Sequence, residues 1–233
     1  MSQGVQQQSN WGQIKAIAFD LDGTLIDSVP DLAVATQATL SKLGLVNCTE
    51  AQVRTWVGNG AKMLMRRAMT HALGRDVEEA ALDAAMPTFM QQYQENLEKH
   101  SALYADVHRV LQALFDAGYQ LAVVTNKPYR FTLPLLEAFK LSEFFTVVLG
   151  GDTLEKMKPD PLPLTHLLNE WQLEPSQLLM VGDSKNDIFA AKAAGVASIG
   201  LTYGYNYGED IGLAGPNAVC QQFAEILNWV SIA

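Results

Sequence analysis

Asp20 and Asp22 follow directly on an apolar run, residues 14–19, and Gly23 comes next. No other feature of the chain restricts its fold as much. A short apolar run with no polar alternation is the pattern of a strand buried on both faces of a parallel sheet. Residues i and i+2 at its end would lie on one face, and Gly23 lets the chain turn sharply there. In open α/β sheets, ligands bind outside the carboxyl ends of the strands. Two carboxylates at such an end can hold a hard cation through oxygen, and one of them can attack phosphorus or carbon as a nucleophile. Taken alone, the same Asp-x-Asp describes a solvated acidic turn, so the chemistry depends on partners elsewhere in the chain.

The next seventy residues read as helices only. Helical patterns cover residues 32–43, a short piece at 53–57, residues 61–73 and residues 76–99, with Pro87 inside the last and a kink or break expected there. Asn59, between Gly58 and Gly60, is placed to cap the third helix. From residue 100 the pattern changes to alternation. Strands are expected at 120–124, 146–149, 178–181, 196–201 and 218–220, with helices at 107–117, 131–139, up to about 171, 188–194 and 224–230. Such alternation predicts a doubly wound parallel sheet. The helical block is inserted after its first strand. The division expected is core over 1–28, an all-α cap domain over 29–98 and core again over 99–233.

With 233 residues, 48% of them apolar, the chain can bury a sizeable core. A net charge of −9 argues against nucleic acid or an anionic membrane as the main partner. It does not exclude a small anion, because surface charge is screened beyond roughly 8 Å at physiological salt. Cys48 and Cys220 lack metal-ligand spacing and read as reduced thiols. The Gln-rich start has no signal-peptide character. A cytoplasmic protein with a disordered tail over about residues 1–12 is expected, as a monomer or homodimer.

Four expected strand ends or loops carry distinctive chemistry: Asp20 and Asp22; Thr125 and Asn126; Lys158, followed by Pro159; and Asp183, with Asp187 four residues on. Each is weak singly. A strand-end Thr is commonly a turn residue, a loop Lys a solvated charge, and Asp183 a helix cap. Together, on the carboxyl ends of one sheet, they describe a metal-and-phosphate site.

In these segments, in this order, the chain resembles the haloacid dehalogenase superfamily of phosphatases: Asp20-Leu21-Asp22-Gly23-Thr24, then Thr125, then Lys158-Pro159-Asp160-Pro161, then Gly182-Asp183-Ser184-Lys185-Asn186-Asp187. The resemblance spans all but the first ten or so residues and implies a Rossmann-like core with a helical cap. It is greatest to the bacterial phosphoglycolate phosphatase subfamily, through Trp56-Val57-Gly58-Asn59-Gly60, Val124-Thr125-Asn126-Lys127-Pro128 and the Gly/Tyr-rich stretch 201–208.

The resemblance implies that Asp20 is the nucleophile and forms an aspartyl-phosphate, and that Asp22 is the general acid and base. It further implies that Asp20, the backbone carbonyl of Asp22 and Asp183 hold Mg²⁺. Thr125, Asn126 and Lys158 would bind the phosphoryl group, and Asp187 would orient Lys158 or a metal-bound water. Lys156 is a second candidate for the phosphate lysine. The implied substrate is a small phosphorylated metabolite, 2-phosphoglycolate foremost, and the implied role is its salvage as glycolate, including what arises in DNA repair. A sugar phosphomutase of the same superfamily is the alternative; a receiver-like phospho-accepting module fits less well, lacking both cap and Asp-x-Asp.

Overall fold

A computed structural model describes Trp11 and residues 13–231; the tail expected over residues 1–12 falls almost wholly outside the described residues. The first strand, β1 (Ala16–Phe19), runs into a two-residue strand, β2 (Ile26–Asp27). Four helices follow: α1 (Val29–Lys42), α2 (Glu50–Trp56), α3 (Gly60–Leu73) and α4 (Glu79–Glu95). The chain returns through β3 (Ala102–Leu103), which pairs antiparallel with β2. Alternation then proceeds through α5 (Val107–Asp116), β4 (Gln120–Val124), α6 (Tyr129–Ala138), β5 (Val147–Leu149), α7 (Leu162–Trp171), β6 (Leu178–Gly182), α8 (Lys185–Ala194), β7 (Ala197–Leu201) and β8 (Ala218–Cys220).

The six longer strands form one parallel sheet in the order β5-β4-β1-β6-β7-β8. Side chains alternate across it. Ile17, Phe19, Val123, Val181 and Ile199 point to one face, with α5 and α6 packed there through Val110, Leu111, Phe131 and Leu135. Ala16, Ala18, Ala122 and Met180 point to the other, beneath Leu164, Leu167, Ala190 and Ala191 of α7 and α8. Small residues on that face let the two helices approach closely. Because β1 lies between β4 and β6, the chain ends its three central strands side by side, at the crevice where the winding reverses.

The elements depart from the sequence expectations at four points. The helix over 76–99 is one helix, α4, despite Pro87. The proline removes one i→i−4 bond, and burial of Leu82, Ala85, Phe89 and Tyr93 on both sides of it holds the helix together. Asn59 does not cap α3; its Oδ1 accepts from Arg67 and Tyr207 instead. The helix expected over 224–230 is 3₁₀, Phe223–Asn228, matching the three-residue spacing of buried Phe223 and Ile226. The β2–β3 ribbon was not expected. It joins the two crossings between helical block and sheet, beside Asp31, whose buried carboxylate accepts from the Ser101 N–H (2.8 Å), the His100 N–H (2.9 Å) and Ser101 Oγ (2.6 Å).

Candidate active site

Phe19 pairs with Val123 of β4 and Val181 of β6. Asp20, Thr125 and Asp183 therefore emerge from neighbouring strand ends. All three are buried, as are Lys158 and Asp187. Asp20 Oδ1 accepts from the Leu21 N–H (2.7 Å) and lies 3.0 Å from Lys158 Nζ. Both contacts fall on Oδ1, which leaves Oδ2 without a protein hydrogen bond among the described residues.

Asp183 is held by Thr24 Oγ1 on Oδ1 and by the Tyr205 N–H on Oδ2, both 2.8 Å away. A Cβ on either Gly23 or Gly204 would overlap its carboxylate, so two glycines form the cradle in which it sits. Asp183 does not cap α8. Ser184 does, in a capping box with Asp187: Ser184 Oγ accepts from the Asn186 N–H, and Asp187 Oδ2 accepts from the Ser184 N–H at 2.9 Å. That box leaves Asp187 Oδ1 to meet Lys158 Nζ at 2.5 Å. The Lys158–Pro159 peptide bond is cis. Lys156, the other candidate, is exposed and pairs with Asp160.

Asp20, Asp183 and Asp187 each offer a carboxylate oxygen within 4.8 Å of the others. Burial pushes the Asp20 carboxyl up to about 7; Lys158 opposes this, while Asp187 and Asp22 add to it. Burial, with Asp20 and Asp187 nearby, also raises Asp183 well above the ordinary carboxylate range. Burial alone would lower Lys158, but Asp187 and Asp20 outweigh it and raise it. The cluster thus holds more negative charge than its lysine balances. Its all-oxygen donor set fits a hard divalent cation.

Asp22 stands apart from that trio. Its side chain accepts from Ser28 Oγ (2.5 Å) and from Lys127 Nζ (2.9 and 3.2 Å). Lys127 is a site residue that sequence reasoning did not single out. It is buried and also donates to Tyr93 Oη of α4. Asn126, expected at the phosphate, lines the same cavity as Asp20 and Thr125, and its side-chain amide donates to two carbonyls, Gly58 O (2.9 Å) and Lys158 O (2.8 Å). Asn186 donates to the same Gly58 O at 3.0 Å.

The Gly58-Asn59-Gly60 loop lies where a cap loop was expected. Gly58, Gly60, Val57, Leu64 and Tyr93 cover Asp20, Asp22, Thr125 and Lys127, enclosing a cavity of about 40 Å³. Such a space holds only a few waters. The helical block carries further cations, among them Lys42, Lys62, Arg66 and Arg67. Lys62 and Arg66 pair with Glu79, and Arg67 bonds Trp56 O and Asn59, so these three are engaged within the block. Lys42 lies in the last turn of α1 and is not among the cavity's lining residues. Of the tyrosines of the 201–208 stretch, Tyr203 donates to Thr24 O and Tyr205 to Asp27, both in the segment before the helical block, and Tyr207 donates to Asn59 within it.

A parallel sheet whose central strand ends carry Asp-x-Asp, Thr and Asp, with a buried loop lysine against the first Asp, is the arrangement of a haloacid dehalogenase-like hydrolase. The family matches residues 17–201, and the chain belongs to it. Within the family it is a phosphoric monoester hydrolase, similar to bacterial phosphoglycolate phosphatases. The phosphoglycolate phosphatase of Vibrio vulnificus is 46% identical over 223 residues, spanning 95% of this chain and 98% of that one. That of Photobacterium profundum is 47% identical over 222 residues, 94% and 97% of the two chains. The crystal structure of a predicted phosphoglycolate phosphatase from Haemophilus somnus matches with a TM-score of 0.89 at 44% identity, over 93% of this chain and 97% of its own. Among the described residues, no helix is long and apolar enough to cross a membrane.

Proposed function

We propose that the enzyme hydrolyses 2-phosphoglycolate to glycolate and phosphate, in a Mg²⁺-dependent reaction through an aspartyl-phosphate on Asp20. The observation that carries this is one small covered cavity lined by Asp20, Asp22 and Thr125, with Lys158 and Asp183 directly behind it. The near full-length relatives named for that substrate support it.

Asp20 Oδ2, free of protein hydrogen bonds, attacks phosphorus, and the bond to the ester oxygen breaks. Asp22 delivers a proton to the departing glycolate oxygen. Water then attacks phosphorus, Asp22 takes its proton, and the bond from phosphorus to Asp20 breaks. Splitting the hydrolysis in this way is covalent catalysis. Thr125 Oγ1 and Lys158 Nζ hold the phosphoryl oxygens. Asp187, locked by its capping box, keeps Lys158 against Asp20. Asp20, Asp183 and the Asp22 carbonyl would hold Mg²⁺, with Asp187 in the same cluster but engaged by Lys158 and the Ser184 N–H. When bound, it supplies the positive charge that lets a phosphate approach these carboxylates and that stabilises the oxygens in transfer. Like charges 4 Å apart repel by about 4 kcal/mol at an effective dielectric near 20, more than Lys158 alone offsets.

Residues 29–98 act as a cap on a core made of 1–28 and 99–233, hinged at the β2–β3 ribbon. With so little space in the cavity, the cap opens to admit substrate and closes to exclude water. The test is a phosphate-release screen over small phosphate esters with Mg²⁺, with Asp20→Asn alongside. 2-Phosphoglycolate should rank among the best substrates, a chelator should stop turnover, and Asp20→Asn should abolish it. Full turnover by Asp20→Asn would sink the mechanism; indifference to 2-phosphoglycolate would sink the substrate.

A further inference from the structure

Lys127 has no part in the chemistry just described, yet it is a buried charge at the heart of the site. Lysine is rarely buried unless paired, and Lys127 is 5% exposed. Its ammonium lies 2.9 Å from Asp22 Oδ1, donates to Tyr93 Oη, and sits 4.7 Å from the centre of the Tyr93 ring. Among the described residues it is the only cationic side chain lining the cavity. Lys158 is 1% exposed and already faces two carboxylates, Asp20 and Asp187, on the side where phosphorus must sit.

Position along the substrate follows from these contacts. Asp22 reaches the ester oxygen of the leaving group. Lys127 is one hydrogen bond from Asp22 and lines the same cavity. In a phosphorylated 2-hydroxy acid the carboxylate is one carbon beyond the ester oxygen, so with Asp22 at that oxygen the carboxylate would fall within reach of the ammonium. The Tyr93 hydroxyl already places an oxygen acceptor on that ammonium. Tyr93 belongs to α4, within the helical cap, so cap, proton-transferring acid and cavity cation meet at one nitrogen.

We propose that Lys127 determines specificity: its ammonium pairs with a carboxylate on the carbon next to the ester oxygen, restricting the enzyme to short phosphorylated acids. The inference rests on the substrate reading above and adds the residue that enforces it. A fixed charge that holds the matching group discriminates against analogues that lack it, because they forgo a charge-assisted hydrogen bond.

The experiment compares kcat/KM for 2-phosphoglycolate and for 2-hydroxyethyl phosphate, which carries CH₂OH in place of the carboxylate. It uses the Mg²⁺-loaded full chain as wild type, Lys127→Gln and Lys127→Arg. Wild type should prefer the acid. Lys127→Gln should cut that preference on the order of 100-fold, mainly through KM for the acid, and Lys127→Arg should retain most of it. An equal fall for both esters in Lys127→Gln, with the preference unchanged, would overturn the proposal and leave Lys127 as a positioning residue for Asp22. A wild type without preference would instead fail the substrate reading, and this inference with it. If Lys127→Gln does not fold, Lys127→Arg and the neutral amide of 2-phosphoglycolate decide the matter. Wild type hydrolysing the amide as well as the acid refutes carboxylate recognition. A large loss with the amide that persists in Lys127→Arg supports it.

Discussion

Asp20→Asn should abolish turnover and yet stabilise the metal-free protein at pH 8. The Asp20 carboxyl is raised from 3.8 to about 7, chiefly by burial. The native state therefore holds that proton more tightly than the unfolded chain does. Stability from this group is fully present below pH 3.8 and is lost as pH rises through about 7. About three units at roughly 1.4 kcal/mol each come to about 4 kcal/mol lost once Asp20 is ionised. Asparagine keeps the shape and removes the charge. Lys158 then gives up one of two anionic partners but keeps Asp187 at 2.5 Å; that loss is already contained in the shift, because Lys158 lowers the Asp20 carboxyl within it. The net is about 4 kcal/mol, or roughly 8–15 °C in Tm for a chain of this size. Thermal melts followed by circular dichroism, in chelator at about pH 8 and about pH 4.5, measure it. The variant should melt higher at the alkaline end, and the gap should close toward the acid end. Mg²⁺ should raise the wild-type Tm much more than that of the variant. A variant that melts no higher than wild type in alkali, or a gap that does not narrow in acid, refutes the reasoning.

Two further substitutions probe how the cap is held. Gly58 has φ +130°, and a Cβ there would lie 2.5 Å from Tyr207 Oη; Gly58→Ala should cost about 1–3 kcal/mol in backbone strain and lower kcat/KM on the order of 10-fold, read in steady-state kinetics, with little change in Tm if the cap swings open to relieve it. Tyr205 Oη accepts from the Ser28 and Val29 N–H groups at 3.0 and 3.3 Å and donates to Asp27; Tyr205→Phe strands those donors at the start of α1 and should cost about 2–3 kcal/mol, seen as a lowered denaturant midpoint.

The strand ends were legible because each is a short apolar run stopped by a polar residue of definite chemistry. That pattern is local, and so Asp20, Thr125 and Asp183 could be placed on neighbouring carboxyl ends before any contact was known. Ser184-x-x-Asp187 is equally local as a capping box. Lys127 was not legible. Between Asn126 and Pro128 a lysine reads as a solvated loop charge, and its burial depends on Tyr93, more than thirty residues earlier on a helix. The β2–β3 ribbon failed for a similar reason. Two residues per strand carry no periodicity, and the partners are about seventy-five residues apart in sequence.

The same distance in sequence hides how cap and site are joined. Gly58 O accepts from Asn126 and from Asn186. Asn126 follows Thr125 directly, and Asn186 precedes Asp187. The β4 end that carries Thr125 and the first turn of α8 that carries Asp187 are thus also the two segments that hold the Gly58 loop. Each grip is a single amide donating to one shared carbonyl, and hydrogen bonds of this kind are individually worth about 1 kcal/mol. That is weak enough for the cap to open and admit substrate. It is also directional enough that the loop reseats only when both strand ends stand in the arrangement that holds the phosphoryl group. On the proposed mechanism, closure of the cap and assembly of the site are one event, and a substitution at Asn126 or Asn186 should change kcat and KM together.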